Sequence, residues 1–387
     1  MKKDTLLGHA GRHPEDHQGI VNPPVYRAST VLFPSLDELE TAERERFDRV
    51  YYGRYGTPTH FAFEEAVATL EGASHAIALP SGMAAIACTL HALLEAGDHI
   101  LMTDNAYGPA ARLCEGPLNR LGIATTRYDP MVGADIAELM RPTTRLVFTE
   151  APGSLTFEVQ DVPAIADAAH AAGALVAMDN TWSAGLYFQP FDKGVDLSIQ
   201  AATKYIVGHS DAMLGSVSMR DRTLFERLRG TAVGMGWCAG PDDCWLGLRG
   251  IRSLSARLAR HQDTGLKLAR WLAARPEIET VLHPALPSCP GHVVWQRDFT
   301  GSSGLFSVVL KEGYSKEALA AFVDGLELFG MGFSWGGYES LILPLRIDRQ
   351  ATVWPFKGHA LRIHSGLEDG EDLIADLEKG LARLGDA

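Results

Sequence analysis

The sequence predicts an α/β protein: a large, mostly parallel sheet domain followed by a smaller α+β C-terminal domain. Two observations carry this. From about residue 60 to 220, short β-rich runs alternate with Ala/Leu/Glu-rich segments of helical length. Alternating strand and helix implies parallel strands joined by crossovers and covered on both faces. After about Gly250 the alternation stops, and a long helical stretch opens a different pattern.

Residues 1–54 read as an arm. They lack clear periodicity, contain Pro23-Pro24 and Pro34, and carry a charged stretch from Asp37 to Arg49, so an extended segment with one short helix is expected. Val50-Tyr51-Tyr52 and Phe61-Ala62-Phe63 are apolar and need cover, which points to packing on a neighbouring subunit. Residues 55–250 form the large domain, with strands expected at Ala76–Leu79, His99–Met102, Ile123–Tyr128, Arg145–Thr149, Leu175–Met178 and Leu197–Ala201. Asp161-Val162-Pro163 opens one helix between them and Gly173 closes it, with proline just inside the start and glycine past the end. Residues 251–387 form the smaller domain. Helices are expected at Leu254–Leu272, Lys316–Leu326 and Leu373–Leu384, and strands at Leu305–Leu310 and Leu361–His364.

Composition removes several classes of function. The formal charge of −13 argues against nonspecific binding to nucleic acid or anionic membrane. No run of 18 apolar residues is present, so no transmembrane helix is expected. Met1-Lys2-Lys3-Asp4-Thr5 lacks the apolar core of a signal peptide. The five cysteines (88, 114, 238, 244 and 289) are odd in number and contain no Cys-x-x-Cys. That spacing fits a reducing cytoplasm better than a disulfide framework or a metal site.

In open parallel sheets, ligands gather at the carboxyl ends of the strands. Asp179 ends the apolar run Ala174–Met178, and Lys204 follows the run Ser198-Ile199-Gln200-Ala201-Ala202-Thr203. Most lysines are solvated surface charges, but this one sits among small and apolar neighbours. A lysine can condense with an aldehyde, and a carboxylate can keep a ring nitrogen protonated. Together they are what pyridoxal phosphate chemistry requires. Leu79-Pro80-Ser81-Gly82-Met83 ends a strand and opens an Ala-rich helix, where free amides can bind a phosphate. Thr203 could add a hydroxyl. Tyr107 follows another strand end, where an aromatic can stack on a pyridine ring; taken alone, it reads as a core or rim tyrosine.

Three other motifs compete. Gly332-Phe333-Ser334-Trp335-Gly336 fits the Gly-x-Ser-x-Gly nucleophile elbow, followed by Asp348 and by His359 or His364 in hydrolase order. However, the α/β region lies before this motif, not around it. His9, His13 and His17 are spaced like one helix face, but Gly8, Gly11 and Pro14 disfavour a helix there. Gly234-Met235-Gly236 is a weak echo of a dinucleotide loop and reads as a flexible loop.

The chain resembles the Cys/Met-metabolism family of pyridoxal phosphate enzymes, which have the aspartate-aminotransferase-like fold type I. The resemblance covers nearly the whole chain and is carried by Tyr52-Gly53-Arg54, Asp179-Asn180-Thr181-Trp182, Ser198–Tyr205 with Gly208-His209-Ser210-Asp211, Phe299–Phe306 and Ser334–Ser340. It implies that Lys204 carries the cofactor, Asp179 pairs with the pyridinium and Tyr107 stacks on the ring. Ser81, Gly82, Met83 and Thr203 would hold the phosphate. Tyr52 and Arg54 would reach the phosphate of a neighbouring subunit, in a homodimer or homotetramer. Arg362 would clamp the substrate α-carboxylate, with Ser334 and Trp335 beside it.

Within the family, Glu150-Ala151-Pro152-Gly153-Ser154-Leu155 is similar to the bacterial β-lyases. γ-Carbon enzymes commonly carry Asn-Pro in this segment. The resemblance therefore implies β-elimination from L-cystathionine or a related cysteine thioether, with γ-lyase or cysteine desulfhydrase activity as the alternatives. Tyr55, Arg112 and Phe333 depart from the β-lyase pattern and are expected at the pocket mouth.

Overall fold

A computed structural model describes residues 1–385. The larger sheet contains β1 (His75–Leu79), β2 (His99–Thr103), β3 (Ala124–Tyr128), β4 (Thr144–Glu150), β5 (Leu175–Asp179), β6 (Leu197–Gln200) and β7 (Gly215–Met219), in the order β1-β7-β6-β5-β4-β2-β3. All run parallel except β7, which pairs antiparallel with both β1 and β6. The carboxyl ends of six strands therefore share one edge.

The central runs of β2, β4 and β5 are largely apolar because both their faces are buried. Side chains alternate across a strand, and here Ile100, Met102, Leu146, Phe148 and Ala177 enter one core. Leu101, Val147, Val176 and Met178 enter the other. Fully burying each of the larger side chains contributes about 1.5–3 kcal/mol, so these central strands anchor whatever is mounted on their ends. The strand β7 escapes the sequence reading. Ser216 and Ser218 are buried in it, and such a Gly/Ser-rich run resembles turn chemistry.

The smaller sheet contains β8 (Ile278–Leu282), β9 (Leu305–Leu310), β10 (Gly330–Met331), β11 (Leu341–Pro344) and β12 (Ala360–His364), in the order β10-β11-β12-β9-β8. Helices Leu254–Ala273, Lys316–Asp324 and Gly370–Ala382 cover it through Leu268, Leu272, Phe322, Leu373 and Leu377, which meet Phe306 and Leu361. The two sheets are joined firmly. Leu305, Val309 and Ala360 extend the second core of the larger sheet, and the Trp182 indole donates to the Leu305 carbonyl at 3.0 Å. Asp104, at the end of β2, accepts from the amides of Gln350, Ala351 and Thr352.

Two sequence expectations are corrected. The arm is not wholly extended: a helix spans Lys3–His9, a 3-10 turn spans Pro14–His17, and the short helix is Leu36–Arg44. Leu7 is buried against Phe63 and Val67, and this tertiary cover stabilises a helix too short to show a period. The three histidines face separate partners, His9 contacting Arg12, His13 contacting Glu65 and His17 contacting Tyr26. Gly234-Met235 is no loop either. It is the last turn of the helix Arg222–Met235, with Gly236 at φ 73° as its left-handed cap.

Candidate active site

Asp179 is the last residue of β5 and pairs in register with Glu150, the last residue of β4. Asp179 Oδ1 accepts from the Thr181 amide at 3.0 Å and the Thr181 hydroxyl at 2.5 Å. Among the described residues, no donor reaches its Oδ2. Burial raises the Asp179 pKa, against the opposing pull of the Thr181 bonds and the Lys204 charge. Glu150 is pushed well up, first by burial and then by Asp179, and it accepts the Tyr107 amide at 2.7 Å. A buried acid and a partly buried one, adjoining at one sheet edge, make a place for a cation. Glu150 escaped the sequence reading as a site residue, although its signal, an acid closing an apolar strand, is the same as that of Asp179.

Lys204 lies in the turn after β6. That turn is fixed by the Ala201 amide donating to the Thr181 hydroxyl at 2.9 Å, and by the Gly208 amide donating to the Lys204 carbonyl at 2.8 Å. Lys204 Nζ donates to Ser334 Oγ at 2.6 Å and sits 5.5 Å from the centroid of the Trp335 ring. Burial, and secondarily the Arg362 charge, lower its pKa to about 8. An amine poised this close to neutrality can lose its proton and act as a base or nucleophile.

Ser81 caps the helix Gly82–Leu93, its side chain accepting from the Ala84 amide. The first amides of that helix, at Gly82 and Met83, have no acceptor within it. A Cβ on Gly82 would come within 2.5 Å of the Ala201 Cβ, so only glycine allows the turn before Lys204 to lie against this helix start. The Thr203 hydroxyl is occupied by Leu214, accepting from its amide at 2.8 Å and donating to its carbonyl at 3.1 Å. Tyr107 is 42% exposed, with its ring free of the apolar core.

The opposite wall comes from the smaller domain. Arg362, in β12, donates to the Ser334 carbonyl at 2.8 Å, and burial lowers its pKa to about 10. Ser334 sits at φ 78°, outside the conformations that side chains prefer. This geometry rules out the nucleophile elbow. Ser334 lies in a turn between β10 and β11, not between a strand and a helix, and its hydroxyl meets a lysine. His364 Nε2 lies 3.1 Å from the Gly336 amide and His359 Nε2 lies 3.0 Å from the Tyr314 carbonyl, while Asp348 is near Arg127.

Tyr52 and Arg54 do not join this cluster within the chain. The Tyr52 hydroxyl meets Ser29, and the Arg54 guanidinium donates to the Val233 carbonyl. Of the three departures, Phe333 is 87% exposed beside Ser334. Arg112 is exposed one turn from Gly108. Within its own chain Tyr55 packs against Phe47 and Tyr51 at the base of the arm.

The donor set fits pyridoxal phosphate. It offers unpaired helix amides for a phosphate, a carboxylate oxygen without a partner for a pyridinium and a poised amine for an aldehyde. The fold and the site define a pyridoxal phosphate enzyme of fold type I. The model of the Cys/Met metabolism PLP-dependent enzyme family matches residues 4–382, and the chain belongs to this family. It is 46% identical to cystathionine β-lyase of Escherichia coli (strain K12) over 99% of both chains. It is 39% identical to L-alanine/L-glutamate racemase of Wolbachia pipientis over 99% of this chain and 98% of that one. The crystal structure of cystathionine γ-synthase from Xanthomonas oryzae aligns with a TM-score of 0.91 at 33% identity, over 100% of this chain and 99% of that one.

Proposed function

We propose that this protein is a pyridoxal phosphate-dependent carbon–sulfur β-lyase acting on L-cystathionine. With one water, the reaction yields homocysteine, pyruvate and ammonia. The observation that carries the reading is the setting of Lys204, an amine whose pKa burial and then the Arg362 charge lower to about 8, against the pull of Asp179.

The cofactor, when bound, supplies an aldehyde that captures the substrate amine and a ring that accepts the electron pair left on the α-carbon. Lys204 takes the α-proton as general base and can return it as acid to the leaving thiol. Ser334 Oγ gives Nζ a fixed acceptor between these tasks. Asp179, lacking a partner at Oδ2, holds positive charge on the ring nitrogen. Ser81, Gly82 and Met83 hold the phosphate, while the Thr203 hydroxyl steadies Leu214 in the adjoining segment. Tyr107 covers the ring, its backbone tied to Glu150. Arg362 receives the α-carboxylate in fork geometry beside Trp335.

Tyr52 and Arg54 face away from their own chain's Lys204 cluster, which supports the reading that they complete the site of a second copy. The division into an arm (1–54), a cofactor domain (55–250) and a C-terminal domain (251–387) is supported by the two separate sheets. Mixing an Arg54→Ala chain with a Lys204→Ala chain should restore part of the activity. No recovery after demonstrated subunit exchange refutes the shared site.

The racemase relative keeps a second reading open, because α-proton removal begins both reactions. Product analysis with L-cystathionine decides between the readings. Pyruvate with homocysteine is expected. Cysteine with 2-oxobutyrate would mean γ-cleavage, and epimerised amino acid alone would mean racemisation.

A further inference from the structure

The turn Ser334–Gly336 supplies the hydroxyl that meets Lys204 and the carbonyl that meets Arg362. It is not held by its own conformation. Ser334 is at φ 78° and Gly336 at φ 89°, and the preceding Phe333 is 87% exposed. A non-glycine residue in the left-handed region persists only where its surroundings hold it.

One further contact does this. Arg362 and His364 are two residues apart on β12, so both side chains leave the same face. Arg362 grips the turn before Trp335, and His364 Nε2 meets the Gly336 amide after it at 3.1 Å. The amide can only donate, so a bond to it needs Nε2 unprotonated and the ring proton on Nδ1. That Nδ1 is buried without a partner. His261, from the helix Leu254–Ala273, lies with its ring centroid 5.2 Å from that of His364. Its Nδ1 meets the Ser365 carbonyl at 2.8 Å, which requires a proton there and leaves Nε2 as a bare acceptor. Nε2 is also buried without a partner. Two unpaired nitrogens thus lie on adjoining buried rings, with no hydrogen bond between them.

We propose that His364 is a positioning residue: as a neutral imidazole backed by His261, it locks the Ser334–Gly336 turn on which Lys204 and Arg362 both depend. The inference rests on the roles given above to those two residues. The surroundings keep the ring neutral. His364 is fully buried, with Tyr205 and His261 packed against it and the cations Arg362 and Lys204 nearby. A proton on Nε2 would abolish the bond to the Gly336 amide and turn the nitrogen into a donor towards the Gly337 carbonyl, 3.2 Å away.

The test compares wild type, His364→Leu and His364→Gln as holoenzymes by amide exchange over residues 332–340 and by kinetics with cystathionine. In His364→Leu the turn amides should exchange about tenfold faster and KM should rise about tenfold, the loss of one hydrogen bond, with cofactor content unchanged. In His364→Gln the side-chain oxygen can accept from the Gly336 amide, and both effects should largely reverse. Equal losses in Leu and Gln, or wild-type exchange in Leu, overturn the proposal. If His364→Leu does not fold, 15N-histidine spectra of the wild-type enzyme decide. A neutral Nδ1–H tautomer at pH 7 is expected, and an Nε2–H tautomer or an imidazolium overturns the proposal. Borohydride reduction with peptide mapping tests Lys204 separately. A label on Lys204 with unaltered turn exchange rejects this inference alone, and no label rejects the earlier reading.

Discussion

The sheet-edge cradle and the Ser334–Gly336 turn face each other across one cleft and are built on opposite principles. In the cradle, Asp179 ends a fully paired central strand, and Ser81 caps a helix with its own neighbours' atoms. Its geometry is set by contacts close in sequence and by a packed core beneath. In the turn, the backbone is strained at Ser334, and the restraints come from Lys204, Arg362 and His364, far away along the chain. The difference teaches where tolerance lies. Chemistry common to a whole cofactor class is mounted on the rigid edge. The turn that borders Lys204 and Arg362 is a segment whose shape depends on several remote residues and can therefore be retuned.

Substitutions on the two sides should separate accordingly. Lys204→Ala should have the largest effect, lowering pyruvate formation from cystathionine by about 10³-fold or more while leaving the circular dichroism unchanged. Near-wild-type elimination would remove Lys204 from the chemistry and collapse the contrast.

Arg362→Lys should come next, because an ammonium cannot reproduce two parallel guanidinium bonds. Losing one charged bond costs about 1.5–3 kcal/mol, so KM should rise by about 10- to 100-fold for every amino-acid substrate. A uniform rise across substrates places Arg362 at the shared carboxylate; a selective one places it at the side chain.

A smaller effect should appear in stability without cofactor. Lys204 titrates at about 8 in the folded protein against its ordinary 10.5. The unfolded chain therefore binds more protons between those values, and folding gains stability as pH rises through that window. Below pH 8 the full cost of burying the cation is present. Lys204→Met should remove it, stabilising the apoprotein by about 2 kcal/mol at pH 7 after allowing for partial exposure. The gap should close by about pH 10.5. Urea melts at the two pH values measure it, and a gap independent of pH would mean that packing, not charge, is responsible.

The smallest effect is expected at the exposed Phe333. Phe333→Tyr should change the ranking of cystathionine, cystine and S-alkyl cysteine by only a few-fold, within the small free energies of surface changes. Cofactor retention should not change. An altered affinity for the cofactor would tie the turn to the cradle more tightly than the geometry does.

Much was legible without coordinates. The apolar runs that became β2, β4, β5 and β9 announced themselves because both faces are buried, and the glycine, proline and capping residues marked helix ends locally. Asp179, Lys204 and Ser81 were legible for the same reason, each standing at the end of an element with a readable pattern. Glu150 was passed over because its acid meaning depends on Asp179 beside it on a neighbouring strand. The packing of Tyr55 on Phe47 and Tyr51 was not legible, because no spacing reveals which arm residues meet.

The sequence by itself determined the fold class, the strand–helix alternation and the lysine and acid proposed to meet a cofactor, because periodicity and element ends are local properties of a chain. Tertiary structure alone decided that β7 runs antiparallel between β1 and β6, that Ser334 serves a lysine and not a hydrolytic histidine, and that His364 and His261 stand together behind it. Each of these depends on residues brought into contact across long separations, where hydrogen-bond complementarity and burial, not neighbouring sequence, fix the outcome.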